Sequence, residues 1–503
     1  MATAVIAGAG IAGLAAALAL EGTGHRVLLL DRAAEPPRGD IGPAADGWVR
    51  PTVPQGVHSH TLTSLGVRVL RERAPHVLEA ALAAGAELLD LTEALPSGAA
   101  GAAPEPGDEE LVALGCRRTA LELVLYRAVR ELPGVTVRHR TTVSAVELDP
   151  AWRAEHARDA GAVRAVRAVR TADGERIPAG IVVDATGRQA AARGWLRAAG
   201  VPVAEDRVSP SGLSGFTRFY RLTGDGRPGP LNRGNAAGDI WDHYAGVLHP
   251  GDNGTFSIAL ATLPGDRALH GLHTPAGFTA AARATPGLDR WLAEGVSEPT
   301  SPVHAITSPP NTLRGTATSY QRPVPGLFPV GDAACTTNPL FGRGMSLALA
   351  HAFALADVLR AHPVIGSAQS RAAARAAEDL FLPWYEQSAA ADLARITRWR
   401  ATVHGSPTPS AGAPSAGARA AQAPSPSPYP SPADVAAAAR TDGRVWRGLT
   451  RMLMSLATPA QVLGDDAFLA RVRQAQVPPA TGPQAPSRTA LVHLLADAEG
   501  VRR

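Results

Sequence analysis

The chain has 503 residues, 45% of them hydrophobic and 19% charged, which excludes a disordered chain and leaves room for two or three domains around a sizeable core. Its formal charge of +4 is spread along the sequence rather than gathered in one basic block, which argues against nucleic acid as a partner; all 49 basic side chains are arginine. Cys116 and Cys335 make neither a disulfide framework nor a metal-ligand spacing, so a reducing, cytoplasmic setting and no metal site are expected.

Residues 2–33, ATAVIAGAGIAGLAAALALEGTGHRVLLLDRA, open as strand, tight turn, helix and strand. Val5 and Ile6 end a short buried strand. Gly8, Gly10 and Gly13 then supply G-x-G-x-x-G, and an alanine-rich helix follows whose small face can sit close to a sheet. The apolar run 11–20 is too short to span a bilayer, and the residues before it carry no positive side chain, so neither a membrane span nor a secretory leader is expected. A second strand, 27–31, closes on Asp31.

Residues 33–56 are rich in Pro and Gly and read as a long loop, 61–84 read as helical, and 97–108 read as exposed. A helix is predicted over 120–132, paired strands over 135–148, and a buried strand ending in a turn over 176–188. The middle of the chain then alternates: 215–222 and 243–262 predict an antiparallel sheet, with a hairpin at PGDNG. Residues 278–295 and 345–361 are predicted helical. The Pro/Ser/Ala-rich stretch 404–432 reads as a flexible loop, and 445–463 as a late helical cap.

The first motif asks for a nucleotide. Gly8 permits the turn, Gly10 lets the backbone approach a pyrophosphate, and Gly13 lets the helix pack on the strand. The N–H groups of the first helical turn, at Ile11 and Ala12, then face the phosphate charge. Asp31 is spaced to accept from a ribose, with Arg32 beside it. That much does not separate FAD from NAD. A second stretch does: FPVGDAACTTNPLFGRGMSLALAHAF, 328–353, delivers Gly331 and Asp332 at the end of a buried strand and opens a helix near Met345 after Gly342-Arg343-Gly344. Such a helix N-terminus can face the pyrimidine edge of a flavin, and Asp332 its ribityl hydroxyls; standing alone, the stretch would read instead as a strand ending in a solvated Asp before an N-capped helix.

Together these segments resemble the flavoprotein monooxygenase superfamily of the aromatic-hydroxylase type, in which an N-terminal dinucleotide fold and a distant Gly-Asp motif enclose one FAD. Gly331-Asp332, Pro339 and Gly342-Arg343-Gly344 match that second motif. Arg118, in RTALE, matches the arginine-bearing helix that touches the cofactor, and Val143 the backbone contact to the adenine. VPQGVHSH, 53–60, and the C-terminal tail look most like a bacterial group of flavin-dependent epoxidases and hydroxylases of secondary metabolism.

The resemblance implies an α/β fold: a Rossmann-like FAD-binding domain of the glutathione-reductase type with one dinucleotide fold, a mixed or antiparallel sheet substrate domain, and a C-terminal helical region. The expected boundaries are 1–190 plus 315–365 for the FAD-binding domain, 191–314 for the substrate domain and 366–503 for the helical region, with part of 61–110 able to join the substrate side.

It also implies a monooxygenase that acts through a C4a-hydroperoxyflavin on an apolar, polyketide-like or terpenoid-like small molecule, with O2 as co-substrate. The middle motif departs from the family's Gly-Ala-Asp-Gly: here it reads Asp184-Ala185-Thr186-Gly187-Arg188, which puts Asp184 and Gly187 at the cofactor but leaves direct use of NAD(P)H open against supply through a partner flavin reductase. The asparagine usual after Gly-x-Gly is replaced by Met345-Ser346. Halogenases of this fold resemble the chain too, but they carry a lysine near the substrate and a W-x-W-x-I-P motif, and neither occurs here. A reductase or dehydrogenase of the same fold, or a non-catalytic binding protein built on it, are the remaining alternatives.

His58 and His60 are the candidates nearest the chemistry outside the cofactor shell, as groups that position substrate or influence a proton; fixing the loop is the plainer role. Arg218 and Tyr220 fall on one face of the predicted 215–222 strand and are candidates for the substrate wall, although alternation is equally compatible with core packing. His243 and His249 flank a hairpin strand and read as surface or sheet residues.

Overall fold

The computed structural model describes residues 3–150, 152, 165–404, 430–476 and 484–500. Its first strand, Thr3–Ala7, pairs in parallel on both sides, with Arg26–Leu30 and with Ile181–Asp184. Leu327–Pro329 and Val135–Arg138 complete a five-stranded parallel sheet in the order 327–329, 181–184, 3–7, 26–30, 135–138. Val5, Ile6, Val182 and Val183 are covered on both faces of this sheet, which is why these strands read as continuous apolar runs. The Ile11–Leu20 helix packs on the Gly344–Ala361 helix, and their alanines allow close approach. The Gly344–Ala361 helix is long and apolar enough to cross a bilayer, but 61% of it is buried inside the protein, as befits a core helix.

The expected pairing across 135–148 does not occur. Val135–Arg138 is the edge strand of the parallel sheet, whereas Val143–Leu148 joins a separate sheet with Val166–Thr171 and Arg176–Pro178. The link between them turns at Arg140, φ 56°, and is captured by the loop after the second strand: Arg140 N–H donates to Ala33 O and Thr141 N–H to Asp31 O.

Three predicted helical stretches are each broken. Pro75 divides 61–84 into Ser64–Arg73 and Pro75–Ala83. Pro286-Gly287 stops the Pro275–Ala284 helix, leaving a 3-10 turn at Asp289–Leu292. The late cap is two helices, Gly443–Leu453 and Pro459–Leu463, the second opened by a Thr458/Gln461 capping box. The loop over 33–56 carries a short helix, Ile41–Gly47.

The second sheet is antiparallel. Its strands run Ala237–Ile240, Ala245–Pro250, Thr255–Thr262, Ser214–Leu222, Ser297–Pro299, and His304–Thr307 also pairs with Ser214–Leu222. The PGDNG hairpin is present: Gly251 N–H donates to Thr255 O at 2.7 Å, and Asn253 takes φ 52°. Leu65, Leu89, Leu91 and Leu111 pack with this sheet and with the C-terminal helices rather than with the parallel sheet. The segment 97–108 is clasped rather than free, because Ala100 N–H donates to Thr441 O and Arg447 donates to Asp108 and to Gly101 O and Ala103 O. Ser367–His404 is a single long helix, and most of the predicted 404–432 loop, 405–429, lies outside the described residues.

Candidate functional site

A cavity of about 460 Å³ lies between the C-terminal ends of the parallel strands and one face of the antiparallel sheet. The three glycines of the first motif act in three ways. Gly8 turns the chain at φ +106°, and a Cβ there would sit 2.5 Å from Ala185 O. A Cβ on Gly13 would lie 1.8 Å from Gly8 O, so Gly13 holds the turn from behind. Gly10 faces the cavity, where a Cβ would meet nothing nearer than Glu122 Oε1 at 3.7 Å. The helix that follows has no side-chain cap and no acid in its first turn, and Ile11 and Ala12 line the cavity. Its first N–H groups are thus left for an anion.

Asp31 is buried and binds the turn itself. Its Oδ2 accepts from Ala9 N–H at 2.5 Å and its Oδ1 from Ala33 N–H at 2.6 Å, while it still lines the cavity beside Arg32. Two arginines converge on one carboxylate: Glu122 Oε1 accepts from Arg118 Nη2 at 2.9 Å, and Oε2 from Arg50 Nη1 at 2.7 Å. Burial pushes the Glu122 carboxyl up, but Arg118 and Arg50 outweigh it and hold the group below the usual carboxylate range. Arg50 Nε, Arg188 Nε, Ser59 Oγ and Thr61 Oγ1 belong to cavity-lining residues and are buried with no hydrogen-bond partner among the described residues. Unsatisfied donors around an open, uncapped helix end suit a phosphate-bearing dinucleotide, so the residues present fit an FAD.

The second motif reaches the same cavity. Gly331, φ +64°, sits against the first helix, where a Cβ would come within 2.7 Å of Ala12 Cβ. Asp332, Pro339, Gly342, Gly344 and Met345 line the cavity, and the Gly344–Ala361 helix also begins without a side-chain cap. Val143 and Gly187 are on the wall as well.

Asp184 is not. It is wholly buried and accepts from Thr186 N–H, Thr186 Oγ1 and Ala192 N–H at 3.0, 2.6 and 2.7 Å. The expectation that it touches the cofactor is therefore corrected: it shapes the turn whose later residues, Ala185 to Arg188, face the cavity.

His58 and His60 both line the cavity. His58 Nδ1 and Thr217 Oγ1 share a 3.0 Å hydrogen bond; burial, with His304 and Arg188 adding, lowers the His58 pKa to about 4. His60 Nδ1 lies 2.8 Å from His58 O, and burial together with Arg118 lowers its pKa to about 3. Both imidazoles are neutral at physiological pH.

The substrate-wall expectation is off by one residue of register. Arg218 and Tyr220 point away from the cavity: Tyr220 stacks on Phe256 at 5.2 Å, and Arg218 donates to Ser301 O and Thr279 Oγ1. Leu213, Gly215 and Thr217, on the opposite face, line the cavity instead. His243 is buried against Tyr244 rather than exposed. His249, expected at the surface or within the sheet, lines the cavity.

Sequence reasoning also missed a buried clamp. Asp392, on the Ser367–His404 helix, accepts from Asn338 Nδ2 and Asn311 Nδ2, both at 2.7 Å, and from Arg395 at 3.1 Å. Asn338 in turn accepts from Leu340 N–H at 2.9 Å, while Arg395 donates to Ser211 O and to Gly212 O. One carboxylate thus ties a cofactor-side wall, 338–340, to a sheet-side wall, 211–213. Among the described residues, no group of three or more His, Cys, Asp and Glu side chains is arranged to hold a metal ion.

A family model described as an NAD(P)-binding Rossmann-like domain matches residues 6–71. PqsL of Pseudomonas aeruginosa, described as a probable FAD-dependent monooxygenase, superposes with a TM-score of 0.50 at 18% identity, over 80% of this chain and 96% of that one. A triple mutant of the flavin-dependent brominase Bmp2 superposes with a TM-score of 0.56 at 16% identity, over 94% of this chain and 97% of its own. The fold, with its two glycine-bearing motifs meeting in one cavity, is the one shared with PqsL and Bmp2. The chain belongs to the family of Protein Rv3254 of Mycobacterium tuberculosis (strain ATCC 25618 / H37Rv), to which it is 30% identical over 376 residues, 71% of this chain and 73% of the relative.

Proposed function

We propose that this protein is an FAD-dependent monooxygenase that epoxidises or hydroxylates a largely apolar small molecule of secondary metabolism, polyketide-like or terpenoid-like, with O2 as co-substrate. The observation that carries this reading is the convergence of two uncapped helix N-termini, Ile11–Leu20 and Gly344–Ala361, on one cavity whose far wall is a sheet face of small apolar side chains. Bound FAD supplies the redox and oxygen-transfer chemistry.

The chain's own residues bind, orient and enclose. Gly10, Ile11 and Ala12 would receive the pyrophosphate on backbone N–H groups, with Arg118 and Arg50 adding positive charge. Asp31 would take the ribose hydroxyls and Asp332 the ribityl chain. Gly344 and Met345, at the second helix N-terminus, would stabilise negative charge on the reduced ring. Ala245, Val247, Ala259 and Ala261 make the apolar floor, which excludes water from the reacting centre. Electrons come from NAD(P)H, directly or through a partner flavin reductase. The absence of lysine argues against the halogenases' chemistry, although they share the fold.

The test is the visible spectrum of the purified protein before and after anaerobic dithionite, followed by turnover under 18O2. A flavin spectrum that bleaches and returns in air, and one labelled oxygen in the product, support the reading. A protein that binds no FAD overturns it, and a product formed without label replaces it with a reductase or dehydrogenase.

A further inference from the structure

The sheet floor of the cavity is graded in polarity along its strands. Gly215, Ala261 and Ala245 are paired across three strands in one row, and Thr217, Ala259 and Val247 in the next. These rows are apolar apart from Thr217. His249 lies one row further along its strand, on the same face as Ala245 and Val247. His58 covers Thr217 through their hydrogen bond, His60 Nδ1 lies 2.8 Å from His58 O, and His58, His60 and His249 line the same cavity. The trough therefore ends in three imidazoles.

Two of these rings have a fixed tautomer. A backbone carbonyl can only accept, so Nδ1 of His60, 2.8 Å from His58 O, must carry the proton. The same holds for Nδ1 of His249, 3.4 Å from Asn235 O. Each neutral ring then presents Nε2 as a lone pair. Among the described residues neither Nε2 finds a hydrogen-bond partner, and neither is one of the sealed polar atoms, so both remain open to the cavity that their residues line. His60 stands on the cofactor side, near Arg118, and His249 on the sheet.

Resting on the monooxygenase reading for what happens at the other end, we propose that His249 is a specificity-determining residue whose Nε2 accepts a hydrogen bond from a hydroxyl at the end of an otherwise apolar substrate, with His60 as the second acceptor. The substrate class is thereby narrowed from an apolar hydrocarbon to a neutral alcohol or phenol with an apolar body. An ammonium donor is disfavoured because Arg118 and Arg188 already place positive charge at this end. A buried acceptor left without its donor costs binding, so the site discriminates against the capped hydroxyl.

The experiment is calorimetric titration of the full chain with 2-naphthol and with 2-methoxynaphthalene. Wild type is expected to bind the naphthol about tenfold or more tightly than the ether. His249→Phe should abolish the preference, and His249→Gln, which keeps a side-chain acceptor, should retain most of it. Equal binding of the two probes by wild type overturns the proposal, and so does a preference that survives in a His249→Phe protein with native circular dichroism. FAD content is read separately on the same samples: a wild-type protein that takes FAD but binds both probes equally counts against the His249 proposal alone, whereas discrimination without FAD binding counts against the monooxygenase reading alone.

Discussion

Replacing Asp392 by alanine removes the acceptor shared by Asn311, Asn338 and Arg395 at a position with no solvent exposure. Arg395 keeps the carbonyls of Ser211 and Gly212, so its guanidinium is only partly stranded. The two amides lose their single acceptor. A buried donor left unsatisfied costs about 1–3 kcal/mol, and breaking a buried charged pair about 3–5 kcal/mol. Because the three interactions share one carboxylate, the terms overlap, and a total loss of about 3–5 kcal/mol is expected, a large part of a typical stability of about 5–15 kcal/mol. Asp392→Asn keeps one acceptor oxygen and should lose about 1–2 kcal/mol. The assay is urea unfolding of the FAD-loaded protein, with FAD affinity measured in parallel. Affinity should fall in Asp392→Ala because Asn338 no longer holds the 338–340 wall, even at urea concentrations where the protein is still folded. If Asp392→Ala unfolds within about 1 kcal/mol of wild type, the clamp is not what joins the two walls.

The glycines separate folding from binding. Gly13→Ala must displace the Gly8 carbonyl and should lose about 1–3 kcal/mol or fail to fold, whereas Gly10→Ala should melt like wild type yet bind FAD at least about tenfold more weakly; equal melting temperatures for both variants would contradict this division. Tyr220→Phe should leave steady-state turnover unchanged, because Tyr220 packs on Phe256 outside the cavity; a large rise in KM would put the strand in the other register.

Acid should destabilise the fold. Burial lowers the pKa of His58, His249 and His351 to about 4 and that of His60 to about 3, so below about pH 6.5 the unfolded chain takes up protons that the native state refuses. Stability is then level above pH 7 and falls toward pH 4, by up to about 1.4 kcal/mol per pH unit for each histidine. Melting temperatures from pH 8 to 5 check the sign. FAD should leave only at the foot of this limb, near pH 4, where native His351 takes up its proton and its Nδ1 can no longer accept from Gly331 N–H.

The two glycine-bearing turns of the cavity wall were legible because their constraints are local. Gly8, Gly10 and Gly13 report backbone geometry, and a Gly-Asp turn at 331–332 before an apolar helix reports the same thing far along the chain, so each could be placed before any tertiary contact was known. Asp184 shows the limit of that argument. An acid at the end of a parallel strand is equally useful to the turn it precedes, and here it binds Thr186 and Ala192. The substrate half depends on non-local facts. Alternation over 215–222 left a cavity wall and core packing equally open, and which face meets the cavity was set by the pairing of Thr217 with Ala259 and by the packing of Tyr220 on Phe256. His249 read as a surface or sheet residue and does stand in the Ala245–Pro250 strand, but nothing near it in sequence announces that the loop bearing His58 and His60 lines the same cavity. Asp392 carried no signal either: an aspartate on the SAAADLAR stretch of a long helix looks solvated until Asn311 and Asn338 arrive from elsewhere in the chain. The division has a consequence for function. Cofactor binding in this fold rests on motifs that tolerate little change, whereas the polar end of the trough rests on side chains at sheet and loop positions that can be exchanged without rebuilding the backbone. Relatives that keep the glycines and Asp332 but alter the residues at positions 58, 60, 217 and 249 should therefore retain FAD and change substrate, and swapping those four positions between two such relatives should carry the preference for a hydroxyl with them.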